Sequence, residues 1–446
     1  LTASAGAPQA SGMWRLLYPL VLSLAWPLVR LRLWRRARRE PAYGRRVAER
    51  FGRVPAGIPP GCVWFHTVSA GEYLAAAPLI AALTRRFPEQ PSLVTTMTPT
   101  GSDQVGARLG ASVHHCYAPY DFPWAVRRFY EAARPRLLVL METELWPNLI
   151  AAAHRRGVPV LLVNARLSAR SARGYRRLGA LSRRMLGQLD VIACQYPDHA
   201  RRFVALGAPA ARVLTLGSVK FDLTLPADHP AQVAALRQRF RFGGGVWVAG
   251  STHAGEEAVL LAAHARLRAR HPDVRLVLVP RHPVRAAEVA ALCRDRGLSV
   301  AMQSEPSAAD AAADVVVVDV MGALLTWYGV ADVAFVGGSL VAHGGHNPIE
   351  PALCGAPVLM GPSVFNFEDV VATFRDGGAL TPVADGEALT AALAEVFDDP
   401  AAARDRGECG RQVVAGHGGA SARLSDLIAG RIAALGAAED NRPALG

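Results

Sequence analysis

Lysine is all but missing from this sequence. Of 49 basic residues, 48 are arginine and one, Lys220, is lysine. A chain so biased has easy recourse to arginine at any solvated position, and the two differ in shape and hydrogen bonding. Lys220 therefore reads as a place that needs a compact ammonium group, with chance retention as the competing account. Cysteine is sparse as well. Cys62, Cys116, Cys194, Cys293, Cys354 and Cys409 are scattered without a C-x-x-C pair, which argues against a zinc site and a disulfide framework and for buried thiols in a reducing compartment. Long apolar runs are also lacking. Leu16 to Val29 is an uncharged run of 14, short of the ~20 residues that cross a bilayer, although Arg30 and Arg32 can snorkel and extend it through Leu31, Leu33 and Trp34. No small-residue cleavage site follows, so a removed signal peptide is not expected.

What is present sets the class. A length of 446 residues implies two domains of roughly 200 residues each, and 51% hydrophobic with 19% charged residues marks a packed globular chain. The net charge of +12 raises nucleic acid as a partner until its distribution is read. Between Arg30 and Arg53 ten arginines face Glu40 and Glu49, so a local excess of eight carries two thirds of the total, and the rest holds no nucleic-acid motif. These arginines favour a membrane anchor or interfacial helix over a buried core helix. They would stay cytoplasmic and attract anionic head groups. Residues 1 to 12 read as a structureless leader, with Met13 a candidate start.

The chain is organised around Val333 to Gly361, VAFVGGSLVAHGGHNPIEPALCGAPVLMG. An apolar run stops at paired glycines, a helix follows, and a second apolar run closes a strand, helix, strand unit. Asn347 suits the cap, Pro348 the first helical position, and Glu350 lies three residues past the cap, the spacing of an ordinary capping box. Gly344 and Gly345 would let backbone approach a ligand beside a helix start, where a phosphate is favoured.

Other segments repeat this plan. CVWFHTVSAGEYLAAAPLIAALTRRF reads as strand, turn and a helix opening at Glu72; SLVTTMTPTGSDQVGARL, RPRLLVLMETELWPNLIAAAHRRG and VPVLLVNARLSARSARGY follow suit. After a connection in VLTLGSVKFDLTLPADHP, the pattern restarts with GVWVAGSTHAGEEAVLLAAHARLRAR and VRLVLVPRHPVRAAEVAALCRDRG, and a helix near Ala420 to Leu435 closes the chain. Polar residues at the carboxyl ends of apolar strands mark open parallel sheets. The fold class is α/β, with two Rossmann-like domains, a cleft between them, and an N-terminal hydrophobic helix as membrane anchor. The expected boundaries are 1–40, 41–225 and 226–446.

Several residues have the right chemistry in this plan. Glu72, ordinarily an acid favoured by the helix dipole, is placed to act as a general base. Glu142 and Glu144 stand at another strand end, where helix-start acids are common. Arg281 and His282 follow LVLVP, where a guanidinium and backbone donors can meet a phosphate; a surface turn is the ordinary alternative. His253, His343 and His346 lack metal-motif spacing. Asp319 follows a strand with no assigned role.

The motifs HTVSAGE, TTMTPTGS, PYDFP, METELWPN, NARLSARS, GSVKFD, GSTHAGEE, PRHP, GGSLVAHGGHNPIEP and GPSVFNF, in this order up to about Asp369, resemble the 3-deoxy-D-manno-octulosonic acid (Kdo) transferases of lipopolysaccharide synthesis. The resemblance implies a GT-B glycosyltransferase that inverts configuration, moving Kdo from CMP-Kdo to the lipid A precursor and releasing CMP. It would work at the cytoplasmic side of the inner membrane, with no cofactor or metal and no nucleic-acid partner. It implies an acceptor domain before the connection and a donor domain after it. By the same resemblance Glu72 is the base, and Glu142 and Lys220 stabilise the transition state. Pro280 with Arg281, Met321 with Gly322 and Ala323, and Asn347 with Pro348, Ile349 and Glu350 contact CMP. Ala323 departs from the family's M-G-E pattern, losing any contact by that glutamate. Two other readings predict different things. A UDP-sugar transferase of this fold would share Glu350 but lack the HTVSAGE-to-GSVKFD series, and a non-enzymatic binding module would tolerate loss of Glu72 and Lys220.

Overall fold

Runs such as VWFH, LLVLM and VLLVNA are buried along their whole length, the signature of strands covered on both faces by helices. The structure, a computed structural model, describes residues 10–307 and 309–440. The strands form two seven-stranded sheets, every pair parallel. The first holds β1 (Val63–His66), β2 (Ser92–Thr96), β3 (His114–Tyr117), β4 (Leu137–Met141), β5 (Val160–Ala165), β6 (Val191–Cys194) and β7 (Val213–Thr215), in the order β3-β2-β1-β4-β5-β6-β7. The second holds β8 (Val246–Thr252), β9 (Arg275–Pro280), β10 (Val300–Met302), β11 (Val315–Val317), β12 (Val333–Val336), β13 (Val358–Met360) and β14 (Leu380–Pro382), in the order β10-β11-β9-β8-β12-β13-β14. The α/β expectation holds.

The side chains of β1 alternate between two apolar layers: Trp64 packs with Phe129 and Tyr130 on one face, Val63 and Phe65 with Tyr73 and Ile80 on the other. Trp247 and Val248 divide the second sheet's layers in the same way. The chain separates into a first unit, running to Val219 and resuming at Gly419, and a second unit, Lys220–Gly418. This division departs from the expected boundaries in one large respect. The closing helix, Ala420–Asp440, was expected in the second domain but belongs to the first unit, because Leu424, Ile428 and Ile432 fill the layer formed with the Ala70–Arg86 helix. Arg86 pairs with Asp426 and Arg431 with Asp190, each at 2.8 Å.

Near the start, a helix spans Ala10–Arg39. Most of the expected leader lies outside the described residues, but its positions 10 to 12 are helical. Among the described residues no helix is long and apolar enough to cross a membrane, so the expected anchor is not realised as a span. The uncharged stretch ends after 14 residues, at Arg30, where the arginine run begins. Not all of those arginines are solvated. Arg50 is buried, donating to the Met97 carbonyl at 2.8 Å and stacking 4.0 Å from the centre of the Tyr117 ring.

The packing of the closing helix yields a test. Ile428→Ala deletes a fully buried side chain and should destabilise the first unit by about 2–4 kcal/mol. Urea unfolding would show this as a lower midpoint, and an unchanged midpoint would contradict the packing described.

Candidate active site

Both sheets reverse their strand order beside the first strand of each unit, between β1 and β4 and between β8 and β12. Side chains beyond the carboxyl ends of strands gather at such switch points. In the first unit β1 runs into Ser69, which caps the Ala70–Arg86 helix, so the helix opens two residues before the expected Glu72. Ser69 Oγ accepts from the Glu72 backbone N–H at 3.2 Å, while Glu72 accepts from Ser69 Oγ and from the Val68 N–H, both at 2.9 Å. Glu72 is thus half of a capping box. Burial nevertheless outweighs these donors and raises its pKa, with a further push from Glu142.

Glu142 follows β4 with φ 53°, a left-handed conformation uncommon and strained for a residue with a side chain. Backbone bonds fix it there: its N–H reaches Val163 and its carbonyl receives Arg166. Glu144 stands one turn on, held by Trp146 Nε1 at 2.8 Å. Burial first, then the charges of Glu72 and Glu142, push it from 4.5 up to about 7. The structure therefore brings Glu72, Glu142 and Glu144 into one electrostatically coupled group. Asp121 of PYDFP explains how METELWPN is held: its carboxylate accepts from the Asn148 and Leu149 N–H groups at the start of the Pro147–Arg155 helix and from Tyr18.

In the second unit Pro280, Arg281, Met321, Gly322, Asn347 and Glu350 line one cavity of about 300 Å³. Three expected members of the set do not line it. Pro348 and Ile349 are buried, and Ala323 packs against the apolar layer containing Phe240 and Trp327. Ser251, Tyr328, His346 and Phe367 line it without having been singled out as ligand contacts. Gly250 is the sequence trace of Tyr328, since a Cβ there would collide with the phenol oxygen. Glu350 accepts from Asn347 Nδ2 at 3.1 Å, yet burial raises its pKa overall.

Local details depart from expectation. The helix after Asn347 is only the six residues Ile349–Cys354, and Asn347 Oδ1 accepts from the Ile349 N–H, not from Glu350. Gly344 and Gly345 are required by neighbouring chain: a Cβ on Gly344 would lie 2.5 Å from Phe365, and one on Gly345 2.9 Å from Met360. The backbone N–H of Arg281 is already spent on the Thr252 carbonyl. Asp319 braces Ser304. Lys220 lies with Nζ 4.7 Å from the ring centre of Phe367, a lining residue of the cavity. Among the described residues no three His, Cys, Asp or Glu side chains are grouped to hold a metal ion.

The raised Glu144 pKa predicts a pH dependence. From pH 4.5 to about 7 the folded chain keeps a proton that the unfolded chain releases, so stability falls as pH rises through that window. Glu144→Gln should gain up to about 3 kcal/mol on the wild type between pH 5 and pH 8, measured by urea unfolding. Parallel pH profiles of the two proteins would contradict this.

The described geometry can be set beside known proteins. The family described as 3-deoxy-D-manno-octulosonic-acid transferase (kdotransferase) matches residues 45–223. The 3-deoxy-D-manno-octulosonic acid transferase of Haemophilus influenzae is 36% identical over 419 residues, covering 93% of this chain and 98% of that one. Its Bordetella pertussis counterpart is 38% identical over 433 residues, covering 93% and 99%. The structure of UDP-GlcNAc 2-epimerase from Neisseria meningitidis bound to UDP-GlcNAc shares the fold, at a TM-score of 0.55 and 15% identity over 83% of this chain and 99% of that one. With identity sustained across both units, the chain belongs to the 3-deoxy-D-manno-octulosonic acid (Kdo) transferases.

Proposed function

We propose that the chain transfers Kdo from CMP-Kdo to a hydroxyl of the lipid A precursor with inversion, releasing CMP. The observation that carries this reading is one cavity of the second unit, on which Arg281, the Met321 turn and the Asn347–Glu350 segment converge. Arg281 offers a fixed positive fork to the phosphate, and Glu350 offers a carboxylate to the ribose hydroxyls. Met321 and Gly322 supply an apolar wall and backbone, with Ala323 adding no polar contact.

A ketosidic carbon leaving a phosphate passes through an oxocarbenium-like state, so the reaction needs a base for the incoming hydroxyl and positive charge for the outgoing phosphate. Glu72 takes the acceptor proton. Its raised pKa strengthens it as a base, so activity should rise with pH through the Glu72 titration. Glu142 stabilises positive charge growing at the sugar carbon, and Lys220 brings a compact ammonium towards the departing phosphate or the sugar carboxylate.

The acceptor is a lipid, and the Ala10–Arg39 helix supplies a means of reaching it. Leu20, Val21, Leu24 and Leu28 are exposed there, followed by arginines. This suits a helix lying in the interface of an anionic membrane, and it supports a position on the cytoplasmic face of the inner membrane.

Incubation of the full chain with CMP-Kdo and tetraacylated lipid A precursor, followed by mass spectrometry, tests the reaction. Mass increments of one or more Kdo units are expected, with Glu72→Ala slower by about 10²–10⁴-fold. CMP binding without any lipid product would reject the assignment. For the membrane, flotation should carry the chain with vesicles containing anionic phospholipid and release it at high salt. Leu24→Ser with Leu28→Ser should weaken this about tenfold or more. A wild type left behind by such vesicles at low salt would count against the interfacial helix.

A further inference from the structure

Four imidazoles stand together on the loops after three adjacent strands: His253 after β8, His282 after β9, and His343 and His346 after β12. The His253 ring stacks on His343 with centroids 4.2 Å apart and lies nearly coplanar with His346, the two Nε2 atoms being 2.8 Å apart. His282 meets His253 edge-on at 6.3 Å. Gly338, at φ 68°, makes room for the pair, since a Cβ there would sit 3.1 Å from His346 and 3.4 Å from His253. His346 also lines the cavity that holds Arg281.

A nitrogen-to-nitrogen hydrogen bond fixes the protons of this pair. One Nε2 must donate and the other accept, so the neutral pair shares one proton and has a free Nδ1 on the donor ring. It takes up one more proton there and becomes a monocation; a second would break the bond. The facing charges do not favour that cation in the free chain. Arg281 and the neighbouring rings oppose it, while Glu257 is committed to Arg285 and Thr252. The Glu256 carboxylate is taken up by backbone N–H groups, Glu350 is bonded to Asn347, and the adjoining Phe365 and Asn366 carry no charge.

We propose that His253 and His346, backed by His343 and His282, form an anion subsite that takes up a proton when the phosphate or the sugar carboxylate of the donor is seated. The inference rests on the donor reading above. In the free chain, burial first and the surrounding positive charge next hold both rings below the ordinary imidazole value, His346 down to about 4. An arriving anion reverses that balance, so the complex holds a proton that the free chain lacks. Affinity for the anion then strengthens as pH falls, by at most about tenfold per pH unit for one linked proton.

Calorimetric titration of the full chain at pH 7, in two phosphate-free buffers of different ionisation enthalpy, measures the linked proton. The ligands are cytidine, CMP and, without acceptor, CMP-Kdo. Uptake approaching one proton with CMP but not cytidine assigns the subsite to the phosphate; uptake with CMP-Kdo alone assigns it to the carboxylate. His346→Gln and His253→Asn should each lose the uptake, and their CMP binding at pH 8.5 reports whether the cavity is intact. Binding of both nucleotides without proton uptake, or uptake undiminished in both variants, overturns the proposal while leaving the donor reading standing. A chain that binds no CMP at any pH overturns both.

Discussion

The second unit's site depends on one buried carboxylate. Glu256, fully shielded from solvent, collects the backbone N–H groups of His253, Gly338, Ser339 and Leu340. Burying an ion without partners is costly, and four charge-assisted bonds offset that cost while joining the loop after β8 to the loop after β12. Ser339 extends the joint, donating to the Val336 carbonyl and accepting the Gly361 N–H at 2.9 Å. Its neighbour Glu257 binds Arg285 at 2.8 Å and so draws in the loop after β9. The acid doublet of GSTHAGEE is therefore architectural: it joins the loops that carry His253, Arg281 and Asn347.

The two switch points carry opposite electrostatics. In the first unit burial and neighbouring carboxylates raise the proton affinity of Glu72 and Glu144, and in the second burial, Arg281 and neighbouring imidazoles lower that of His253 and His346. Glycosyl transfer asks for both conditions. A proton must be drawn from an incoming hydroxyl, and negative charge must be received as a phosphate departs. Burying carboxylates beside one another costs stability, as the raised Glu144 pKa shows, with burial its first cause and Glu72 its second. That cost is the expected mark of a site arranged for chemistry over packing.

Strands and their polar ends were readable from the sequence because buried parallel strands are apolar runs that stop abruptly. Glu72 and the three cavity segments stand at such stops. Tyr328, Phe367 and Ser251 were not readable, since each joins the cavity through neighbours distant in sequence. Gly344 and Gly345 misled for the same reason: a close approach was rightly expected, but what approaches is the chain at Phe365 and Met360, with both glycines at positive φ. The arginine run was read as a group drawn to anionic head groups, whereas aromatic rings at Tyr43 and Tyr117 draw Arg50 inside. A membrane-crossing helix was weighed from the apolar run, and among the described residues no helix is long and apolar enough to be one.

The return of the Ala420–Asp440 helix to the first unit bears on synthesis. Domains usually fold in the order in which they are made. Here the second unit is a continuous insertion whose last residue is Gly418, while the first unit lacks Leu424, Ile428 and Ile432 until the whole second unit has been translated. The unit begun first is thus completed last. Until then the Ala70–Arg86 helix must wait on the ribosome with part of its apolar face uncovered.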